Sequence, residues 1–241
     1  MGVENKVSPI ARVTLADRVY GDLRELLLAG QVEPGEKFSL RSLAASMGTS
    51  LMPVRDAVGR LAAENALEVQ ASRVVRVPIM TRERFRELTV IRCEIEGLAA
   101  QHAAVNARND ELAEIRALHE KFAEVSMRDV PDGAAALQIN KDLHFAVYRA
   151  AHMPQLLQII DGLWLQIGPV INLDLRASGR RLKEVEAHKH HGRLIAALEA
   201  KDGEGSRNAL AADISSAAEF ILNTSDIPSA TNEKGQDDTG T

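Results

Sequence analysis

Along most of the chain, apolar residues recur three or four positions apart, the spacing that lines one face of an α-helix. Val19, Leu23, Leu26 and Leu27 predict a first helix, capped by Thr14 and ended at Ala29-Gly30. Pro34-Gly35 signals a turn, after which Phe38 packs inward and Ser39 caps a short helix reaching Met47. Gly48 then stands where a positive φ is often needed. Ser50 opens a third helix to about Glu64, with its hydroxyl placed to accept a free backbone N–H and Pro53 in the first turn. Val54, Ala57, Val58 and Leu61 form its apolar stripe, while Arg55 and Arg60 lie off the stripe and face outward. The period then changes. Leu67–Val69 and Val74–Val77 are short β-prone runs around a polar tetrad, the pattern of a hairpin. The two helices spanning Ser39–Leu67 fit a DNA-reading helix-turn-helix and also fit an ordinary antiparallel helix pair. The hairpin favours a winged helix-turn-helix, since a generic helical domain has no use for one.

Beyond Pro78 the helical period returns and stays. A helix from Thr81 to about Asn106 turns Leu88, Ile91, Ile95, Leu98 and Ala99 inward. Helices follow over about 108–127, with Leu112, Ile115, Leu118 and Phe122 inward, and over 134–151. Another begins near Pro154, and Gly168-Pro169 is expected to kink or break it. The last two span about 179–200 and 206–222. The pattern therefore divides the chain into a flexible start at 1–12, a winged module at 13–78 and a link at 79–81. A six- or seven-helix bundle at 82–223 and a disordered tail at 224–241 complete it. The predicted fold class is mainly α.

Composition narrows this picture. Abundant Ala and Leu with only 3% aromatic residues favour helix-on-helix packing. The single cysteine, Cys93, permits no disulfide within the chain, which fits a reducing cytoplasm, and it reads as a small core residue. No apolar run is long enough for a membrane span, and no signal peptide is visible at the start. Charge is uneven: residues 1–78 hold ten Lys/Arg against nine Asp/Glu, and the remainder holds 19 against 25. A near-neutral module beside an acidic bundle suits a DNA reader attached to a part that does not touch DNA.

Four polar residues of the bundle could converge. Asn140 and His144 are spaced i, i+4 and share a helix face; His191 and Asp213 lie on the last two helices. Two imidazoles, a carboxylate and an amide oxygen could hold a divalent cation, and they could equally be hydrogen-bonded core groups. The other histidines, His102, His119, His152 and His188, have no evident partners, and His190 is expected to face away from His191. Arg92 sits near the inward face of its helix. It could fork onto a carboxylate ligand or pair with Glu96 one turn on.

These residues together resemble a GntR-family transcription regulator of the FadR type with an FCD effector domain, from about Leu15 to Leu222. The resemblance is carried by Val32-Glu-Pro34-Gly35-Glu-Lys-Phe38-Ser39, Leu43-Ala44, Gly48-Thr-Ser50, Pro53-Val-Arg55-Asp-Ala57 and the wing at Arg73–Val77. In the bundle it is carried by Arg92-Cys-Glu-Ile-Glu96-Gly, Asn140-Lys-Asp-Leu-His144-Phe, and His191 with Asp202. It implies DNA contacts from Arg41, Ser50, Leu51, Arg55 and Arg73. It also implies a metal site at Asn140, His144, His191 and Asp213, and Arg92 as a partner for an effector's carboxylate. Leu51 stands where the family usually has a basic or polar residue, and Val74 where a wing Gly is usual. Asn140 replaces a commoner Asp, and Asp213 a commoner His.

The expected function is that of a cytoplasmic, ligand-responsive regulator, a repressor. It binds a palindromic operator as a homodimer and answers to a small carboxylate, with Zn, Mn or Ni as the cofactor. The competing expectation is a helical metal-dependent enzyme using the same four residues. A ferritin-like di-metal site needs Glu-x-x-His pairs, and no histidine here has Glu three positions before it.

Overall fold

The computed structural model describes residues 14–70, 74–127, 132–177 and 186–229. Its first part holds α1 (Leu15–Leu28), β1 (Lys37–Ser39), α2 (Leu40–Ser46), α3 (Leu51–Ala63), β2 (Glu68–Val69) and β3 (Val74–Arg76). The second part holds α4 (Arg82–Asn106), α5 (Asn109–Ser126), α6 (Gly133–Ala150), α7 (Pro154–Ala177), α8 (Glu186–Glu199) and α9 (Gly203–Thr224).

Local chemistry sets the limits of these elements. Thr14 caps α1 through a reciprocal box with Asp17. Ser39 accepts the N–H of Ser42 and starts α2. Gly48 takes φ +61° between α2 and α3, and Asn65 takes φ 57° after α3, conformations that Gly and Asn tolerate best. The hairpin forms as β2–β3, with one addition: β1 pairs along the other side of β3, giving the order β1-β3-β2. The stripe residues Val54, Ala57, Val58 and Leu61 are buried against Val19, Leu23 and Leu27 of α1 and Val75 of the hairpin. Burying a Val or Leu side chain in this way stabilises by about 1.5–3 kcal/mol.

In the bundle, α9 packs between α4 and α8, and α5 packs on α6. Four sequence expectations change. Helix α7 runs through Gly168-Pro169 instead of breaking there. Gly168 serves a contact: a Cβ on it would lie 2.6 Å from the carbonyl oxygen of Leu27, so α1 rests directly on the α7 backbone. Ile91 is 37% exposed, because the buried face of α4 is centred on Arg92 and Glu96. The last helix begins earlier than expected, at Gly203, because Asp202 caps it by accepting the Gly205 N–H. After Thr224 the chain does not leave at once. Ile227 is buried beside Met80 and Phe85, and Pro228 accepts the N–H of Arg82 at 2.9 Å, fastening the exit of α9 to the entry of α4. The expected flexible start at 1–12, Arg73 at the wing tip and the residues from 230 onward lie outside the described residues.

Candidate functional site

The outer surface of the winged module presents the first candidate site. Arg41 on α2 and Arg55 on α3 are exposed, and neither is spent on an ion pair among the described residues. Ser50 is the N-cap of α3 by its backbone, yet its hydroxyl makes no cap bond. The reason lies in the sequence. The third helical position is Pro53, which has no N–H to give, so the exposed hydroxyl is left available. Leu51 is half-buried and packs against the module's core, while its neighbour Met52 is 58% exposed at the start of the helix. No periodic or capping signal in the sequence marks Met52. Arg60, expected to face outward freely, is committed: it pairs with Asp17 at 2.8 Å and lies 3.9 Å over the ring of Tyr20, tying α3 to α1. Arg76 is likewise committed across the hairpin to Glu68.

The second candidate site is inside the bundle. Glu96 is fully buried and accepts four bonds. Two come from Arg92, Nε at 2.5 Å and Nη2 at 3.2 Å; the others come from Trp164 Nε1 at 3.2 Å and the Tyr148 hydroxyl. Arg92 therefore forms the intrahelical pair, and its guanidinium also lies 5.1 Å from the Trp164 ring. Burial, with the Glu96 charge added, raises the Tyr148 pKa well above its ordinary value, so the phenol keeps its proton.

That proton fixes the next group. Tyr148 donates to Glu96 and so accepts from His144 Nδ1 at 2.9 Å. The bond pattern places a proton on His144 Nδ1 and turns Nε2 toward the last helix. Nε2 stands 3.1 Å from Asp213 Oδ2 but makes no hydrogen bond there. His191 is fully buried, neither of its ring nitrogens is hydrogen-bonded among the described residues, and its Nε2 lies 3.8 Å from the same oxygen. Burial outweighs the nearby Asp213 and pushes His191 down to about 3, so its imidazole is neutral at physiological pH. One donor atom from each of His144, His191 and Asp213 falls within 4.8 Å of the others. Donors around a tetrahedral ion with bonds of about 2.0–2.1 Å lie roughly 3.3 Å apart, so the trio fits a divalent cation with little movement. The His144–Tyr148–Glu96 chain supplies the outer bond that orients a ligating imidazole. Asn140 lines the same small cavity, with its side-chain oxygen as a further donor.

Two histidines with no partner evident in the sequence belong to this neighbourhood. His119 and His188 lie 5.8 and 5.9 Å from their nearest histidine rings, in the order His191, His119, His188, and Phe122 packs against His188 and His191. Burial lowers the pKa of both. Ser126 lies 2.8 Å from His188 Nε2. Their shared position is a product of how α5 meets α8, which no local pattern discloses.

Comparison with known proteins matches both parts of the chain. The bacterial regulatory proteins of the gntR family match residues 15–77, and the FCD domain matches residues 87–216. The HTH-type transcriptional regulator McbR of Escherichia coli (strain K12) is 33% identical over 199 residues, covering 83% of this chain and 89% of that one. A probable D-xylose utilization operon transcriptional repressor of Paenarthrobacter nicotinovorans is 28% identical over 201 residues, covering 83% and 86%. The solved structure of the E. coli McbR/YncC protein superposes with a TM-score of 0.80 at 31% identity, over 88% of this chain and 99% of that one. The named relatives are transcription regulators, so the family match supports the regulator and not the metal-dependent enzyme. No helix among the described residues is long and apolar enough to cross a membrane. The chain belongs to the GntR family of bacterial transcription regulators, with an N-terminal winged helix-turn-helix and a C-terminal all-helical FCD effector domain.

Proposed function

We propose that the protein is a ligand-responsive repressor that binds a palindromic operator as a homodimer. The start of α3 enters the major groove, with Arg55 reading base edges or gripping phosphate. Arg41 and the Ser50 hydroxyl contact the backbone, Met52 offers an apolar contact, and the wing around Arg73 lies along the flank. The bundle holds one divalent cation, Zn, Mn or Ni, through His144, His191 and Asp213, with Asn140 beside them. A cation bound there supplies positive charge for the carboxylate of a small organic acid, and Arg92 borders the same cavity.

One observation supports the cation above the rest. His144 Nε2 faces the Asp213 carboxylate oxygen at 3.1 Å, and a neutral His191 stands beside them with no hydrogen bond among the described residues. Buried imidazole nitrogens left without a hydrogen bond beside a carboxylate oxygen are costly, and a cation among them would offset that cost. The effector can shift DNA affinity only by binding one arrangement of the two parts more tightly than the other.

Mobility-shift titration of the full chain against DNA from upstream of its own gene tests this reading. Binding falls with rising salt, as phosphate contacts require, and a chelator or a bound acid changes the midpoint. Binding that ignores both salt and Arg55→Ala overturns the assignment of this face.

A further inference from the structure

His144, His191 and Asp213 are all buried, so a cation that reaches this inner site must shed its water inside the protein. A dication crossing an apolar layer without ligands is very costly. Two walls of the site differ in what they offer. One is the cavity of about 20 Å³, where Asn140 is joined by Phe85, Trp164, Ile171 and Ile214 and by the Arg92 guanidinium. A cation on that side finds one amide oxygen among apolar side chains and a guanidinium. The other wall is made of imidazoles.

His191 stands in a row with His119 of α5 and His188 of α8. Ring centroids are 5.8 Å apart for His191 and His119 and 5.9 Å apart for His119 and His188. The two imidazoles of the inner site, His144 and His191, stand at 5.6 Å, so the outer pair repeats the spacing of the inner one. Imidazoles that share a tetrahedral ion through bonds of about 2.0–2.1 Å have centroids roughly 5 Å apart, so a small rotamer change closes either pair. Burial is graded along the row: His191 is fully buried, and His119 and His188 are half-buried. One nitrogen of each outer ring is uncommitted among the described residues. His119 Nδ1 is buried and makes no hydrogen bond. Ser126 gives its proton to the Phe122 carbonyl at 2.6 Å, so it accepts from His188 Nε2 at 2.8 Å, and His188 Nδ1 is left over. The Phe122 ring lies 5.0 Å from His188 and 5.1 Å from His191 and holds both in the row.

We infer that His119 and His188 form a second, outer divalent-cation site on the solvent side of His191, with two nitrogen donors from the protein and water for the rest. The consequence, which rests on the inner-site reading above, is a route: a cation passes from the outer pair to the His191 ring and so to His144 and Asp213. Two imidazoles hold an ion more weakly than the full donor set of a structural site. The outer ion therefore leaves on desalting, and only the inner one is retained.

Equilibrium dialysis of the untagged full-length chain against Zn²⁺, read by elemental analysis, tests the outer site. Wild type takes up a tight ion and a second one held at least about tenfold more weakly, as its fewer protein ligands require. His119→Gln/His188→Gln keeps the tight ion and loses the weak one, with a melting temperature close to that of wild type, since both rings are half-buried. Stopped-flow mixing with Zn²⁺ tests the route. Trp164 is the single tryptophan and its ring lies 5.6 Å from that of His144, so its fluorescence reports filling of the inner site. Filling slows about tenfold or more in the double variant while the tight ion's affinity stays the same, the mark of a raised barrier and not of a lost ligand. His144→Ala/Asp213→Ala separates the two readings: it loses the tight ion and keeps the weak one. A weak ion in that variant, with no tight ion in wild type, upholds the outer site and overturns the inner one together with the route. A wild type without a weak ion, a weak ion that survives in His119→Gln/His188→Gln, or its equal loss in the surface variant His152→Gln overturns the outer site. Filling at the wild-type rate in the double variant overturns the route.

Discussion

In the winged module, Arg41 and Arg55 stand in water and the interior is purely apolar. In the bundle, Arg92, Glu96, His144, His191 and Asp213 are all buried. The same residue types do different work in the two places. An exposed arginine costs little to hold and can meet a phosphate without losing an existing partner. A buried arginine must be matched before anything else can happen, and Arg92 is matched twice over by Glu96. The surface site is therefore open by default, whereas in the interior Arg92, Glu96, Tyr148 and His144 are placed by one another and the His191 ring is held by packing. Under the proposed function the labour divides accordingly: output at a face that tolerates substitution, input at a core that does not.

The largest effect that tests this contrast is Glu96→Ala. It strips Arg92, Tyr148 and Trp164 of their common acceptor and leaves a charge buried without its partner, a change that costs about 3–5 kcal/mol. Denaturant unfolding checks it, and stability equal to wild type contradicts the matched-interior account. Next is Arg55→Ala, which lowers operator affinity by about 1–3 kcal/mol while the melting temperature stays put. Parallel anisotropy and thermal scans check both halves of that statement. Smallest is Arg60→Ala. Its exposed pair with Asp17 and its stacking on Tyr20 together contribute about 1 kcal/mol or less to stability. Loss of operator binding as large as in Arg55→Ala, with α1 and α3 still packed, counts against Arg60 being a structural tie.

The same contrast explains what the sequence disclosed. The winged module was legible because its apolar stripe, caps and turns all agree: Thr14, Ser39, Gly48 and Asn65 each stand where the chain bends. What escaped there was small and physical. Pro53 removes the N–H that Ser50 was expected to cap, and Lys37–Ser39 becomes a third strand because it meets β3 in space, not in sequence. In the bundle, apolar periodicity misassigned one face of α4. Its core side carries Arg92 and Glu96, so the hydrophobic rule put Ile91 inside when it is partly in water. His144, His191 and Asp213 were legible as candidates from spacing and resemblance, and the structure brings their donor atoms together. The neighbouring His119 and His188 were not legible, because their approach arises where distant segments pack. The dependence of Tyr148 on Glu96, and of His144 on Tyr148, links α4 to α6 across 52 residues of sequence.

The central claim is that the buried trio exists to hold a cation. Elemental analysis of the full chain, purified without a histidine tag or chelators, tests it most directly, with the His144→Ala/His191→Ala variant alongside. The account predicts close to one divalent ion per wild-type chain, either as purified or after incubation with Zn²⁺, Mn²⁺ or Ni²⁺, and its loss in a variant that remains helical. A wild-type protein that stays free of metal after that incubation contradicts it.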